Sequence, residues 1–242
     1  MRSLILAIQF LTRLPTPQLR DFTPRELASS ALWFPAVGAL VGALVTLMVW
    51  LGSDINHWLG ALLGLLMWMW ATGGLHLDGL ADLADGLGAA HRDPQRLLTV
   101  MRDPHLGAFG VMALIAQLLS KIVLLEIVLH LELLNVAMLP LVCAWARFGA
   151  LLWSATLPAL SGSSTDNFTW AINKPSLLIN ALLLLALSYY FAPALLLALL
   201  PLALWYVFLK WRVGGMSGDC LGAGIEITES SLLLCLLIVD WA

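Results

Sequence analysis

The chain has 242 residues, of which 61% are hydrophobic and only 11% are charged. A soluble domain carries about 25% charged residues, so this composition excludes an ordinary soluble globular protein. The net charge of −3 is small and gives no indication of nucleic-acid binding. We interpret 1–242 as a single integral membrane domain.

The first ten residues form a short apolar run with one arginine, and Arg13 and two prolines follow. The segment lacks a small-residue cleavage site, so it is a poor match to a signal peptide. An amphipathic helix lying on the membrane surface agrees better with this pattern.

Seven later segments are apolar enough to be transmembrane helices, since a span needs about 20 apolar residues. They cover 31–52, 58–75, 107–129, 133–157, 177–191, 194–209 and 221–239. The fifth and sixth are short and only Ala192 and Pro193 separate them, so they form either a helical hairpin or one kinked element. The sequence predicts an all-α, polytopic membrane protein with about seven transmembrane helices and an N-terminal interfacial helix.

The Lys and Arg residues of the loops all fall on one side of a seven-span chain. They are Arg2, Arg13, Arg20, Arg25, Arg92, Arg96, Arg102, Lys174, Lys210 and Arg212. Basic loops mark the cytoplasmic side of a membrane protein. We therefore expect a bacterial cytoplasmic (inner) membrane protein with a cytoplasmic N-terminus and its C-terminus outside.

Two further basic residues, Lys121 and Arg147, fall within predicted spans. A charge there usually faces the protein interior or a watery cavity. Lys121 has Glu126 nearby, but five residues is a poor helical spacing for a pair. Arg147 suits a phosphate, because its planar fork donates two hydrogen bonds at once, although a buried ion pair is the alternative.

The densest chemical signal is the string HLDGLADLADG at 76–86. Asp78, Asp82 and Asp85 stand at i, i+4 and i+7, which places them within about 60° on one helix face. No Lys or Arg occurs between residues 75 and 90, so the three carboxylates repel each other unless a cation binds. Oxygen ligands select Mg²⁺, Mn²⁺ or Ca²⁺ over zinc. The alternative is a solvated acidic helix face.

His76 precedes the first aspartate by two residues. It can serve as a general base, a donor to phosphate or a membrane-interface residue. Downstream, Asp93-Pro94 has the pattern of a helix start, with Asp93 as N-cap. Arg92 and Arg96 at i, i+4 are positioned to clamp phosphates beside the aspartates.

The string RDPHLGAFG at 102–110 follows. Asp103 is a candidate N-cap for the third span, and Gly107 and Gly110 permit close approach of another backbone or a ligand.

A second acidic cluster lies in the glycine-rich string GMSGDCLGAGIEITE at 215–229. Asp219, Glu226 and Glu229 fall within it, and the glycines supply a turn whose N–H groups can cradle an anion. The predicted topology places both acidic clusters at the same face. Acidic residues and arginines at a hydrophobic boundary indicate metal-assisted phosphoryl transfer.

These strings resemble the cobalamin synthase family, the adenosylcobinamide-GDP ribazoletransferases, nearly from end to end. The resemblance covers FLTRLP at 10–15, WFPAVG at 33–38, and the strings at 76–86, 102–110 and 215–229. It implies transfer of the cobinamide-phosphoryl group of adenosylcobinamide-GDP to α-ribazole or its 5′-phosphate. GMP leaves, and Mg²⁺ is the expected cofactor.

The resemblance also implies roles for individual residues. As metal ligands it implies Asp78, Asp82, Asp85 and Glu226. As contacts for substrate or phosphate it implies Arg13, Arg92, Arg96, Arg102, Asp219 and Glu229. As catalytic residues it implies His76, Asp82 and Arg147. The base for the attacking hydroxyl stays open between His76 and an aspartate. Membrane lipid is an expected partner, and homo-oligomers are compatible with the hydrophobic surface.

Two alternatives compete with this interpretation. A CDP-alcohol phosphotransferase does similar chemistry on lipids, but the string after Asp78-Gly79 lacks the Ala and the Arg that its signature requires. An ion or solute transporter would use the intramembrane charges Lys121, Glu126 and Arg147 as a pathway.

Overall fold

The computed structural model describes residues 2–90, 93–131, 136–160, 172 and 174–239 of the chain. Its α-helices are α1 (Arg2–Leu11), α2 (Pro24–Ser30), α3 (Phe34–Ser53), α4 (His57–Thr72), α5 (Leu75–Ala90), α6 (Pro94–Met101), α7 (Ala108–Leu131), α8 (Leu139–Thr156), α9 (Lys174–Phe191), α10 (Leu199–Phe208) and α11 (Gly218–Val239). Short 3₁₀ helices occupy Ala31–Trp33 and Pro193–Ala198, and a π-helical turn occupies Leu209–Val213.

Six helical stretches among the described residues are long and apolar enough to cross a membrane. They are Glu26–Ser53, Ala108–Leu131, Leu139–Thr156, Lys174–Phe191, Pro193–Val213 and Gly218–Leu237. The pair α4 and α5 makes a seventh if the two together form one broken span. The all-α, polytopic prediction is confirmed, and the predicted fifth and sixth segments are two separate candidate spans.

The second predicted segment differs from the structure where it ends. We expected it to run to residue 75, but α4 ends at Thr72 and α5 turns away from it by 85°. Gly73 and Gly74 form the corner with φ of 62° and 72°, a left-handed conformation that glycine adopts most readily. The 16 residues of α4 extend only about 24 Å, less than the ~30 Å of a bilayer core. The acidic string therefore forms a separate helix, which packs on α6, α7 and α11.

The centre of the bundle is the contact of α8 with α3 and α11. Most residues of α8 and α11 are buried. A Cβ on Gly38 or Gly42 of α3 would overlap backbone carbonyl oxygens of α8. Small residues let membrane helices approach this closely. The core thus holds α11, which carries the second acidic cluster, in a fixed position.

Of the two predicted Asp-Pro helix starts, one is confirmed. The carboxylate of Asp93 accepts a hydrogen bond from the Gln95 N–H at 2.9 Å, and Pro94 opens α6. The prediction for Asp103 was wrong, because its carboxylate accepts from the N–H of His105 at 3.0 Å and α7 begins later. The two hydrogen bonds that Asp103 accepts from His105 hold the pKa of its carboxyl below its usual value.

Candidate functional site

A cavity of about 420 Å³ opens where α1, the α4–α5 corner and the start of α11 meet. Its polar wall includes Arg13, His76, Asp78 and Asp219, all of which the sequence singled out. The volume lies in the range of small-molecule sites, which are mostly apolar with a few placed polar groups. The Arg13 guanidinium can bind an anionic ligand at this wall, and the two carboxylates can bind a positive ion beside it.

The close contact between α5 and α11 brings the two acidic clusters together. A Cβ on Gly79 would lie 2.8 Å from the Cα of Asp219. A Cβ on Gly222 would lie 3.2 Å from the Cα of His76. Each helix therefore needs a glycine where the other crosses it, because any side chain would push the backbones apart. The contact places Asp219 of the second cluster beside the α5 cluster.

The acidic residues on α5 differ in exposure along the helix. Asp78 is exposed, Asp82 is half-buried and Asp85 is buried. Asp82 lies within electrostatic range of Asp78, Asp85 and Asp219, so four acidic groups repel one another here. A bound cation would relieve this repulsion.

The donor atoms of this cluster are carboxylate oxygens, the ligand type that Mg²⁺ prefers. Within the described residues, Asp78, Asp82 and Asp219 do not bring three ligand atoms within 4.8 Å of one another. Mg²⁺ usually keeps several waters and takes only one or two carboxylates plus substrate phosphates. The set therefore fits a magnesium ion that substrate phosphates help to hold.

Asp85 has a different environment from the one we predicted. Its two carboxylate oxygens accept hydrogen bonds from the N–H groups of Gly107 and Gly110, at 2.7 and 2.8 Å. A carboxylate is favourable at the positive end of a helix, so Asp85 caps α7 from a neighbouring helix. A Cβ on either glycine would collide with this carboxylate, which explains the two glycines. In this geometry Asp85 holds α7 against α5 and is not oriented as a metal ligand.

The predicted metal ligand Glu226 and substrate contact Glu229 both lie in a buried charge network. Lys121 of α7 donates to Glu226 at 2.7 Å and to Glu229 at 2.5 Å. Arg147 of α8 forms an ion pair with Glu229. Lys121, Arg147, Glu226 and Glu229 are each at most 2% exposed. The two positive and two negative charges balance. Glu226 is paired with Lys121. Arg147 forms the buried ion pair that the sequence left as its alternative role.

Sequence reasoning missed two members of this network. Trp68 donates its indole N–H to Glu229 at 3.1 Å, and its ring lies 4.2 Å from the Lys121 ammonium. The Gln117 amide donates to the Glu226 carboxylate at 3.0 Å. Gln117 lies four residues before Lys121 in α7, a spacing that could have indicated a polar face toward another span.

His76 joins the network to the cavity. Its Nδ1 lies 3.5 Å from an Arg147 nitrogen, while its buried Nε2 has no hydrogen-bond partner in the described part of the chain. A guanidinium only donates, so Nδ1 accepts and a neutral imidazole carries its proton on Nε2. A buried N–H without a partner is unfavourable. His76 is therefore suited to donate a hydrogen bond to a ligand in the cavity.

Besides Arg147, the arginines predicted to bind phosphate are Arg13, Arg92, Arg96 and Arg102. Arg13 lines the cavity, its N–H donates to Ala71 O at 2.8 Å, and its side chain packs over Gly73. Arg96 is exposed on α6, and Arg102 is exposed at the end of that helix. Arg92 lies outside the described residues. Of the arginines that the structure describes, only Arg13 lines this cavity.

Comparison with known proteins gives a consistent result over the whole chain. A sequence model of the family described as cobalamin-5-phosphate synthase matches residues 3–237. A Laribacter hongkongensis protein named adenosylcobinamide-GDP ribazoletransferase is 55% identical over 238 residues, covering 98% of this chain and 97% of that protein. The protein of the same name from Thiobacillus denitrificans is 51% identical, covering 97% and 94%.

A more distant relative also aligns along its whole length. A Brevibacillus brevis protein with the same name is 34% identical, and the alignment covers all of both chains. No solved structure gives a significant match. The match to the family model from residue 3 to 237, together with these relatives, shows that the chain belongs to the cobalamin-5-phosphate synthase family.

Proposed function

We propose that this chain is an adenosylcobinamide-GDP ribazoletransferase that acts in the cavity between α1, α5 and α11. It joins adenosylcobinamide-GDP to α-ribazole or α-ribazole 5′-phosphate and releases GMP. The observation that carries the proposal is the placement of Arg13, His76, Asp78 and Asp219 on one cavity wall, within a chain that matches its relatives from end to end. We further propose that this wall faces the cytoplasm of a bacterial inner membrane protein.

The reaction breaks the bond between the two linked phosphates of adenosylcobinamide-GDP. A ribose hydroxyl of the acceptor attacks the phosphorus that carries the cobinamide, a new P–O bond forms, and GMP leaves. Negative charge accumulates on the phosphate oxygens and on GMP as this happens. The site must therefore stabilise negative charge and accept one proton from the hydroxyl.

Arg13 is placed to bind a phosphate oxygen at one side of the cavity. His76 donates its Nε2–H to a second phosphate oxygen, which leaves a carboxylate of the cluster as the proton acceptor. We assign Mg²⁺ binding to one or two of the carboxylates of Asp78, Asp82 and Asp219, since Asp85 and Glu226 have other partners. A carboxylate of this set that does not hold the ion is the proton acceptor. When bound, Mg²⁺ supplies positive charge that neutralises the linked phosphates and the leaving GMP.

The transporter alternative rested on the charges inside the spans. Lys121 and Arg147 pair with Glu226 and Glu229, so these charges neutralise one another in the bundle centre. The full-length family match also favours the cobinamide reaction over a CDP-alcohol phosphotransferase.

The proposal is tested with purified protein in detergent, incubated with adenosylcobinamide-GDP, α-ribazole and Mg²⁺. We expect GMP and cobalamin to appear in equal amounts, and α-ribazole 5′-phosphate compared in parallel identifies the preferred acceptor. EDTA should abolish the reaction, and Mg²⁺ or Mn²⁺ should restore it while zinc should not. Absence of GMP release with both acceptors would contradict the activity, and full turnover in EDTA would contradict the role of the metal.

A further inference from the structure

A second group of ligand-type side chains lies far from the cavity. His57 is the first residue of α4, and Glu126 and His130 lie in the last turns of α7. The other end of α4, at Thr72, lines the cavity. The rise of 1.5 Å per residue separates the two ends of α4 by about 22 Å. The group thus lies at the opposite end of the bundle, where the loops carry no Lys or Arg around 53–57 and 130–132.

The three side chains converge on one point. One ligand atom from each of His57, Glu126 and His130 lies within 4.8 Å of the other two. Glu126 and His130 are at i, i+4 and so share a face of α7, which packs against α4. An ion placed centrally among three atoms that lie within 4.8 Å of one another is at most about 2.8 Å from each of them. If each ligand atom moved about 0.7 Å toward the ion, all three distances would reach the ~2.1 Å of a zinc–ligand bond.

We propose that His57, Glu126 and His130 form a binding site for one divalent transition-metal ion of the zinc class. Two imidazoles and one carboxylate are a ligand set that Zn²⁺ and its neighbours use. The set differs from the all-oxygen aspartate cluster, which suits Mg²⁺. In the described part of the chain, this is the one group of three such residues with its ligand atoms so close together.

The exposure of the three residues indicates how the ion would enter and what it would do. His57 and Glu126 are half-buried, and His130 is exposed. The imidazole rings of His57 and His130 lie 6.0 Å apart at 78°, so a bound ion would link the start of α4 to the end of α7. Solvent reaches the site at His130, which leaves a fourth coordination position for water. A bound ion would hold α4 and α7 together. This inference does not depend on the proposed transferase activity.

The test uses the full chain in detergent, purified through a tag without histidine and stripped with EDTA that is then removed. Co²⁺ is added as a spectroscopic probe, and Zn²⁺ is then titrated to displace it. We expect visible absorption of tetrahedral Co²⁺ that saturates at one ion per chain, is displaced by Zn²⁺ and is unaffected by millimolar Mg²⁺. The melting temperature should rise on adding Zn²⁺.

His130→Gln and His57→Gln should each weaken metal binding by at least about tenfold. Removing a residue that only hydrogen-bonds to a metal ligand already costs about that much, and these two histidines are the ligands themselves. His105→Gln is the matched control, because His105 is an exposed histidine outside the group. His130 is exposed, so its variant tests the site without disturbing the fold. A wild-type chain that binds neither ion at one equivalent overturns the proposal, as does undiminished binding in His130→Gln.

Discussion

The backbone of Asp219 lies directly against Gly79, so closely that a methyl group on Gly79 would stand 2.8 Å from the Asp219 Cα. This contact holds the acidic residues of α5 and α11 on one cavity wall. It depends on a missing side chain at one position, which makes it simple to disturb.

Gly79→Ala should lower GMP formation strongly, because it pushes α11 away from α5. Overpacking of this kind costs about 1–3 kcal/mol, so the protein should still fold with a lower melting temperature. Gly88→Ala on the same helix is the control, since its methyl group meets the exposed ring of Phe109, which can move. Equal turnover in both variants would show that the α5–α11 contact does not position the site.

Lys121→Met should destabilise the protein by about 3–5 kcal/mol, because it leaves a buried negative charge without its partner. The double variant Lys121→Met/Glu226→Gln removes one charge of each sign and should recover much of the loss. Chemical denaturation in detergent measures the free energies of unfolding, and Lys210→Met serves as an exposed control. If the double variant is no more stable than Lys121→Met, the lost stability does not come from the unpaired charge of Glu226.

Arg147→Lys keeps the positive charge beside Glu229 but removes the nitrogen that faces His76. We expect turnover to fall more than the melting temperature does, because His76 loses the group that fixes its tautomer. Rates of GMP release and thermal unfolding are compared on one preparation. Full turnover would indicate that Arg147 acts only as a charge partner.

Reporter fusions test the predicted orientation of the bundle. Fusions at Ser53 and at the C-terminus should read outside, and fusions at Gln95 and Gly214 should read cytoplasmic. These positions follow from the basic loops. A cytoplasmic C-terminus with the other positions unchanged would mean an even number of spans.

Much of the helical architecture was predictable, because lipid requires long apolar helices. The corner at Gly73 and Gly74 was not predicted, because we extended the apolar segment to Leu75 although a Gly-Gly pair is a turn signal. The set of acidic residues was also predictable, but their partners were not. Asp85 and Glu226 looked like metal ligands because sequence spacing shows which residues share a face of one helix. It does not show that Gly107 and Lys121 face them from another helix.

The role of the aspartate cluster is tested most directly by Asp82→Asn, which keeps the shape of the side chain and removes its charge. Asp82 lies between Asp78 and Asp85 on α5, so losing its charge relieves repulsion and should leave the melting temperature unchanged or slightly higher. If the cluster holds the metal, the barrier rises by several kcal/mol and GMP release falls about 100-fold or more. Asp54→Asn, an exposed aspartate at the other end of the bundle, should be neutral. Loss of turnover in a chain that melts like the wild type is the predicted result, and near-normal GMP release from Asp82→Asn would contradict the assignment of the site.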